Sequence, residues 1–405
     1  MNQLSLVPAA ARVVVLGAGY AGVIAALRLA GKAGSSARVT LVNDRPDFVE
    51  RIRLHQVATG QAATPRSLAR MVRGTGIELV IGRAESVFAP ARRVFVRGPE
   101  GERELRYDYL VYALGSGTPR SRIEGAAEHA HTVSTREAAE ALATELAKLG
   151  AGGRVAVLGG GLTGIELATE LAEARPDLAV SLVSASRVAP GLSAEGQEYV
   201  ERTLTELGVE IVARAAVAEI TERGVLLEGG DHRDADIVVD CTGMGASDRA
   251  SNWGLACTPS GRLSIDETLR SVSDERIFGA GDGAAIASDE AAFLRMACAT
   301  AMPLGAHVAD NALRAIRGEP LAPFGFGFFG QCISLGRKRG VVQYVDATDR
   351  PSERITTGWL GARFKEGVCK FTTLALAIER VLPGTYTWPK KGEPIDWKVS
   401  ARLPA

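Results

Sequence analysis

The stretch VVVLGAGYAG at residues 13–22 returns as VAVLGGGLTG at residues 155–164. No other feature restricts the fold as much. In each copy an apolar run enters three glycines spaced GxGxxG and leaves in a helical pattern. The glycines have separate tasks. Gly17 makes the sharp turn, Gly19 lets the backbone approach a pyrophosphate, and Gly22 lets the helix pack on the strand; Gly159, Gly161 and Gly164 hold the same places in the second copy. The helix that follows points its free N–H groups and the positive end of its dipole at the phosphates. For the first copy this predicts a strand over residues 12–16, a helix over 20–30 and a second strand over 39–42. That second strand ends at Asn43 and Asp44, where an acidic group can accept hydrogen bonds from a ribose. A lone GxGxxG is a weak signal, but strand, helix and acid together read as a dinucleotide site.

The repeat extends past the loop. Alternating segments near residues 91–98 and 216–229 are followed by buried-type strands, DYLVYALG at 108–115, ending at Gly115, and DIVVDCTG at 236–243, ending at Gly243. Loop, meander and exit strand recur in one order, which indicates a duplicated nucleotide-binding unit. After the second copy comes RIFGAGD at 276–282, a short strand running into Gly281 and Asp282. The expected class is α/β, with two Rossmann-like dinucleotide-binding domains and a smaller C-terminal α+β region. The 46 glycines among 405 residues, against an average of roughly 7%, fit a chain with many tight turns.

Charge and cysteine usage narrow the partners. Lys plus Arg and Asp plus Glu both number 47, so there is no overall pull towards nucleic acid or an anionic membrane. The five cysteines are scattered, without a CxxC pair or a metal-like cluster, as in a reduced cytoplasmic protein; no metal site is expected. The start, MNQLSLVPAAAR, lacks a basic region and an apolar core, and no window reaches the roughly 18 apolar residues of a spanning helix.

The ordered set GxGxxG, LVYALG, GxGxxGxE, VDCTG, IFGAGD resembles the flavoproteins with two dinucleotide-binding domains, the pyridine nucleotide-disulfide oxidoreductase superfamily, over about residues 12–317. The resemblance implies FAD in residues 1–125 and 245–317, NADPH or NADH as hydride donor in the inserted residues 126–244, and an acceptor site or dimer interface in residues 318–405. It makes Asp282 the ligand of the flavin's ribityl chain and places Glu166, at the end of GGGLTGIE, near the nicotinamide and the flavin N5. The alternative from the residues alone is a glutamate exposed on the first helical turn and favoured by the helix dipole. A helix starting near Arg295 and Met296, kinked at Pro303, would aim its N-terminus at the negative charge of a reduced flavin.

Disulfide reductases of this superfamily carry CxxxxC where this chain reads DFVERIRLHQVATG, residues 47–60, without a cysteine. A dithiol relay there is excluded. Arg51, Arg53 and His55 occupy the segment, suited to an anionic substrate, to a reduced flavin, or to pairing with Glu50 and nearby backbone. Among cysteine-free members the chain looks most like the type II NADH dehydrogenases, non-pumping NAD(P)H:quinone oxidoreductases, with the apoptosis-inducing-factor-like reductases near them. QCISLGRKRGVVQY at 331–344 matches their strand pair, and a long helix is expected over 359–382.

There are departures. Cys298 and Met302 stand where that group has two glutamines four apart lining the quinone site. The stripe Leu360, Phe364, Val368, Phe371, Leu374, Ile378, Val381 reads as core or dimer interface, with peripheral membrane contact left open. A tail, PGTYTWPKKGEPIDWK, replaces a second amphipathic anchor. The other cysteines, Cys241, Cys257, Cys332 and Cys369, read as ordinary buried residues. At the end of the second strand of the second copy, Ser184 occupies the place of the acid that takes an NADH ribose, with Ser186 and Arg187 beside it, which suits the 2′-phosphate of NADPH. The expectation is a flavin-dependent transfer from nicotinamide to a small acceptor, a quinone first. The alternatives are a flavoenzyme of specialised-metabolite biosynthesis and a redox-sensing binding protein.

Overall fold

A computed structural model describes residues 9–61, 65–117, 121, 123–243 and 245–389. The first eight residues of the N-terminal stretch and the end of the Lys- and Trp-rich tail lie outside the described residues.

The first repeat forms a five-stranded parallel sheet, in the order Ile277–Gly279, Tyr109–Tyr112, Ala11–Leu16, Ala37–Asn43, Glu78–Ile81. Val13, Val15 and Leu16 are completely buried, as a central strand covered on both faces must be. The second repeat builds the same sheet strand for strand, Ala130–His131, Ile237–Asp240, Arg154–Leu158, Ala179–Ser184, Glu210–Ala213, again parallel throughout. In each, the glycine loop leaves the central strand, where ligands of open α/β sheets bind. Three-stranded antiparallel meanders accompany both copies, Arg83–Phe88 with Arg93–Gly98 and Gly101–Arg106, and Val217–Thr221 with Gly224–Leu227 and His232–Asp234. Because Ile277–Gly279 pairs with Tyr109–Tyr112, the chain returns to the first sheet after completing the second, delivering Asp282 beside the first glycine loop.

The C-terminal segment is an antiparallel sheet of Gly330–Leu335, Arg339–Val345 and Pro351–Thr357, followed by the helix Gly358–Val381. This helix corrects one expectation. Its buried residues are Gly361, Cys369, Thr372, Ala375, Leu376 and Glu379, whereas Leu360, Phe364, Phe371, Leu374, Ile378 and Val381 are exposed and Val368 is half-buried. The apolar stripe is therefore not core. Leu376 apart, the inward face is small or polar because it packs close to the strands Gly330–Leu335 and Arg339–Val345 and to the helix Tyr20–Ala33, and it carries a buried ion pair: Arg28 Nε donates to Glu379 Oε1 at 2.6 Å, and Glu379 also accepts from the backbone N–H groups of Gly384 and Tyr386.

The helix after the Asp282 loop runs Cys298–Arg317, starting two residues beyond Met296, and continues through Pro303. Arg295 lies ahead of it, paired with Asp349 at 2.7 Å and held over the Phe328 ring. Met296 accordingly does not sit in a helical first turn.

Candidate active site

The two glycine loops divide their work identically. Gly17 and Gly159 have φ of +95° and +108°, a region that favours glycine. A Cβ on Gly22 would lie 1.8 Å from the Gly17 carbonyl oxygen, and one on Gly164 2.0 Å from that of Gly159. At Gly19 and Gly161, by contrast, nothing stands within 4 Å of a Cβ. Both residues are N-caps, of Tyr20–Ala33 and Leu162–Ala174, and neither offers a side chain to the first-turn N–H groups. Each loop is thus a cradle of backbone donors facing open space, the form a pyrophosphate requires.

Asn43 is committed to shaping the first loop. Its Oδ1 accepts from the Ala18 N–H at 2.9 Å and its Nδ2 donates to the Arg45 carbonyl. Asp44 remains at the surface beside Arg45, leaving it as the strand-end carboxylate open to a ribose.

Asp282 carries the observation that tests for a flavin. Its Oδ2 accepts from Ser116 Oγ at 3.0 Å, while its Oδ1 is buried with no partner among the described residues. An unpaired buried carboxylate oxygen costs roughly 1–3 kcal/mol, so the position calls for an external donor such as a sugar-alcohol hydroxyl. Arg51 Nη1 donates to the Ser116 carbonyl, and Arg262 Nε to that of Asp282, so two half-buried cations flank this carboxylate. Gly115 and Gly281, both at positive φ, close the loops around it.

Beyond Asp282, four elements meet around Glu166. Glu166 Oε1 takes Lys365 Nζ at 2.8 Å, the Ser334 N–H at 3.0 Å and Ser334 Oγ at 3.2 Å; Oε2 faces His55 Nδ1 at 3.6 Å. The exposed-glutamate reading therefore fails, since the side chain is 10% accessible. Burial alone would raise the Glu166 pKa, but Lys365, His55 and the hydrogen bonds hold it below the ordinary carboxylate range. Burial works against the Lys365 charge too, and Glu166 overcomes it, raising the lysine pKa. Lys365 also donates to the Cys332 carbonyl at 3.2 Å, and the Cys298, Cys332 and Cys369 thiols surround it, each pushed up by burial. Sequence reasoning missed Lys365, Ser334 and the gathering of these thiols. The available signal was Lys365 in helical phase with Gly361, Cys369, Thr372 and Glu379, on the face opposite the apolar stripe.

His55 is neutral. Burial lowers its pKa to about 4, outweighing the attraction of Glu166. Because the folded state binds fewer protons than the unfolded chain, whose histidine titrates near 6.5, this group costs no stability above about pH 6.5 and removes it progressively as pH falls towards 4. The expected size is about 3 kcal/mol. Denaturant unfolding of wild type and His55→Gln between pH 7 and 4 should show the variant losing less stability by about that amount; parallel curves would place His55 in a solvated setting.

Arg53 reaches neither cofactor cradle. It makes a two-pronged contact with Glu366 at 2.8 and 3.0 Å and a further one with Glu50 at 3.3 Å, fastening the segment 51–58 to the last helix. Of the roles the sequence leaves open for Arg53, these contacts match the pairing with Glu50, extended to Glu366. The structure corrects Met302: one turn inside its helix it is 2% exposed, packed in the core, whereas Cys298 at the helix start stays half-buried beside Lys365. In the second loop Ser184 is buried under Gly160, whose Cβ would lie 2.5 Å from Ser184 Oγ, so it faces no ribose; Ser186 and Arg187 are exposed at the strand end.

The family model described as pyridine nucleotide-disulphide oxidoreductase matches residues 11–309. An NADH dehydrogenase-like protein of Mycobacterium tuberculosis is 30% identical over 364 residues, spanning 84% of this chain and 88% of the relative. A type II NADH:quinone oxidoreductase of Haemophilus influenzae is 25% identical over 380 residues, spanning 80% and 84%. Among solved structures, the sulfide:quinone oxidoreductase of Aquifex aeolicus superposes with a TM-score of 0.78 at 20% identity, covering 93% of each chain, which speaks for the fold alone.

Proposed function

The chain belongs to the pyridine nucleotide-disulphide oxidoreductase family, and from that premise we propose that it takes hydride from a nicotinamide cofactor onto FAD and passes the electrons to a quinone. The observation that carries the proposal is the Glu166, Lys365 and Ser334 cluster, set between the second glycine loop and the C-terminal segment with Cys298 linking it towards Asp282. Residues 1–125 and 245–317 are assigned to FAD, 126–244 to the nicotinamide cofactor, and 318–405 to the acceptor side.

Bound FAD supplies the hydride acceptor and the two-electron store. The protein's part is to hold and shape. Gly19 and Gly161 admit the two pyrophosphates, Asp282 takes the ribityl hydroxyls, and Glu166, immobilised by its ion pair, orients the nicotinamide. Lys365 places a buried positive charge where electron-rich oxygens of an acceptor would lie, and no thiol pair in residues 47–60 competes for the electrons. A quinone fits this arrangement, and curated relatives carry that acceptor in their names.

The exposed stripe from Trp359 to Leu382 gives such an enzyme a way to reach a lipid-soluble acceptor from the cytoplasmic side of a membrane. Among the described residues no helix is long and apolar enough to cross one.

Anaerobic titration tests the reading. NADPH and NADH should both bleach the flavin, and a short-chain quinone should restore its colour faster than dioxygen does. Arg187→Ala should lower kcat/KM for NADPH about tenfold, the scale of one charge-assisted hydrogen bond, and leave NADH unchanged. Reduction without reoxidation by any quinone would favour the sensor, and tight FAD indifferent to both nicotinamides the biosynthetic enzyme.

A further inference from the structure

Three carboxylates recur on the helix Leu162–Ala174 at positions 166, 170 and 173, a spacing that puts them on one face. Their exposure changes stepwise. Glu166 lies in the site, Glu170 is 1% exposed beneath it, and the Glu173 side chain is 20% exposed at the rim. The end of Gly330–Leu335 and the turn after it cover all three: Ser334 bonds Glu166, Arg337 Nε meets Glu170 at 3.0 Å, and the Arg337 N–H and Lys338 meet Glu173.

Docking of the hairpin accounts for most of these contacts but not for one atom. Glu170 Oε1 receives both Gln61 and Arg337, while Oε2 is buried with no partner among the described residues. A carboxyl oxygen in that position is relieved by carrying a proton. Burial indeed raises the Glu170 pKa, against the pull of Gln61 and Arg337. Glutamates three or four residues apart on a helix have Cβ atoms roughly 5–6 Å apart, so rotation of the Glu173 and Glu170 side chains brings each carboxyl group within reach of the next while Glu166 stays fixed.

We propose that Glu173, Glu170 and Glu166 form the track along which the solvent proton consumed in acceptor reduction enters the site. The proposal rests on the quinone reading. NAD(P)H, one proton and a quinone give NAD(P)⁺ and a quinol; the hydride brings both electrons and one hydrogen, and the second hydrogen comes from water. Hydride transfer from the nicotinamide needs no solvent proton, so the track serves the second half-reaction alone. Glu170 stores the proton because burial favours its neutral form, and Glu166, held low by Lys365, releases it quickly.

Glu170→Gln keeps the shape and the acceptor for Arg337 but cannot relay a proton. In stopped flow on the FAD-loaded protein, quinone-driven reoxidation should slow about 100-fold with an enlarged solvent isotope effect. Flavin reduction by NADH should stay within about twofold of wild type, and Glu170→Asp should recover part of the loss. The infrared carbonyl stretch of a protonated carboxylic acid gives a readout independent of turnover. It should be present near neutral pH in wild type and in Glu173→Gln, and absent in Glu170→Gln. Unchanged reoxidation, equal losses in both half-reactions, or a wild-type spectrum without that band would overturn the track. If wild type reduces no quinone, the acceptor reading fails on its own, and the infrared band still decides whether Glu170 holds a proton.

Discussion

Gly19→Val is expected to purify as a folded protein without flavin. The Cβ at this position meets nothing within 4 Å, so the apo fold accommodates the side chain, but the space it fills is where the pyrophosphate approaches the helix N-terminus. Losing two charge-assisted hydrogen bonds there removes about 3–6 kcal/mol, or more than about 100-fold in FAD affinity. Gly22→Val is expected to behave differently, since its Cβ would overlap the Gly17 carbonyl oxygen and break the loop itself. Asp282→Ala should also lose FAD, and its apo protein should unfold at a lower midpoint than wild type, because the change removes the carboxylate that accepts from Ser116 and faces the Arg51 and Arg262 cations. The flavin-to-protein absorbance ratio, circular dichroism and apo-protein unfolding midpoint together check these three variants. Full flavin retention in Gly19→Val and Asp282→Ala would remove the basis for placing FAD in the first repeat.

Gly17 and Gly22 are legible in the sequence because their requirements are local. A glycine at positive φ, or one pressed against a carbonyl five residues earlier, is demanded by the backbone of the loop, so the spacing alone locates it. The strands followed for the same reason, being short apolar runs bounded by those turns. What stayed hidden were pairings between distant residues. Arg53 and Glu366 are 313 positions apart, and Glu166 and Ser334 168 apart, so no periodicity connects them. Met302 and Cys298 share a helix face, yet one turn separates the edge of the site from the packed interior. The direction of the last helix was misjudged on an assumption about size. Its larger apolar face reads as core by size, whereas close approach on the inner side selects small residues, Gly361 against the Gly340 carbonyl and Cys369 and Ala375 further along, and leaves the bulky ones outside.

That misjudged face supplies the second large expected effect. Trp359, Leu360, Phe371, Leu374, Val381 and Leu382 are each more than half exposed on one continuous stripe, a larger patch than a lone surface leucine presents. Exposed Lys370 and Arg380 flank it, cations suited to lipid phosphates. Wild type is therefore expected to co-sediment with phospholipid vesicles, more strongly when they carry anionic lipid. Burying a side chain of this size contributes about 1.5–3 kcal/mol, so Phe371→Glu with Leu374→Glu should weaken partitioning by more than about 100-fold. Because both side chains already face water, each change should alter unfolding free energy by no more than about 0.5 kcal/mol and leave reduction by NADH intact. The same double variant separates the membrane from a second copy of the chain. If light scattering shows wild type at twice its chain mass without vesicles, and the double variant at one, the stripe is a dimer interface; only a monomeric wild type that the variant frees from vesicles supports the membrane reading.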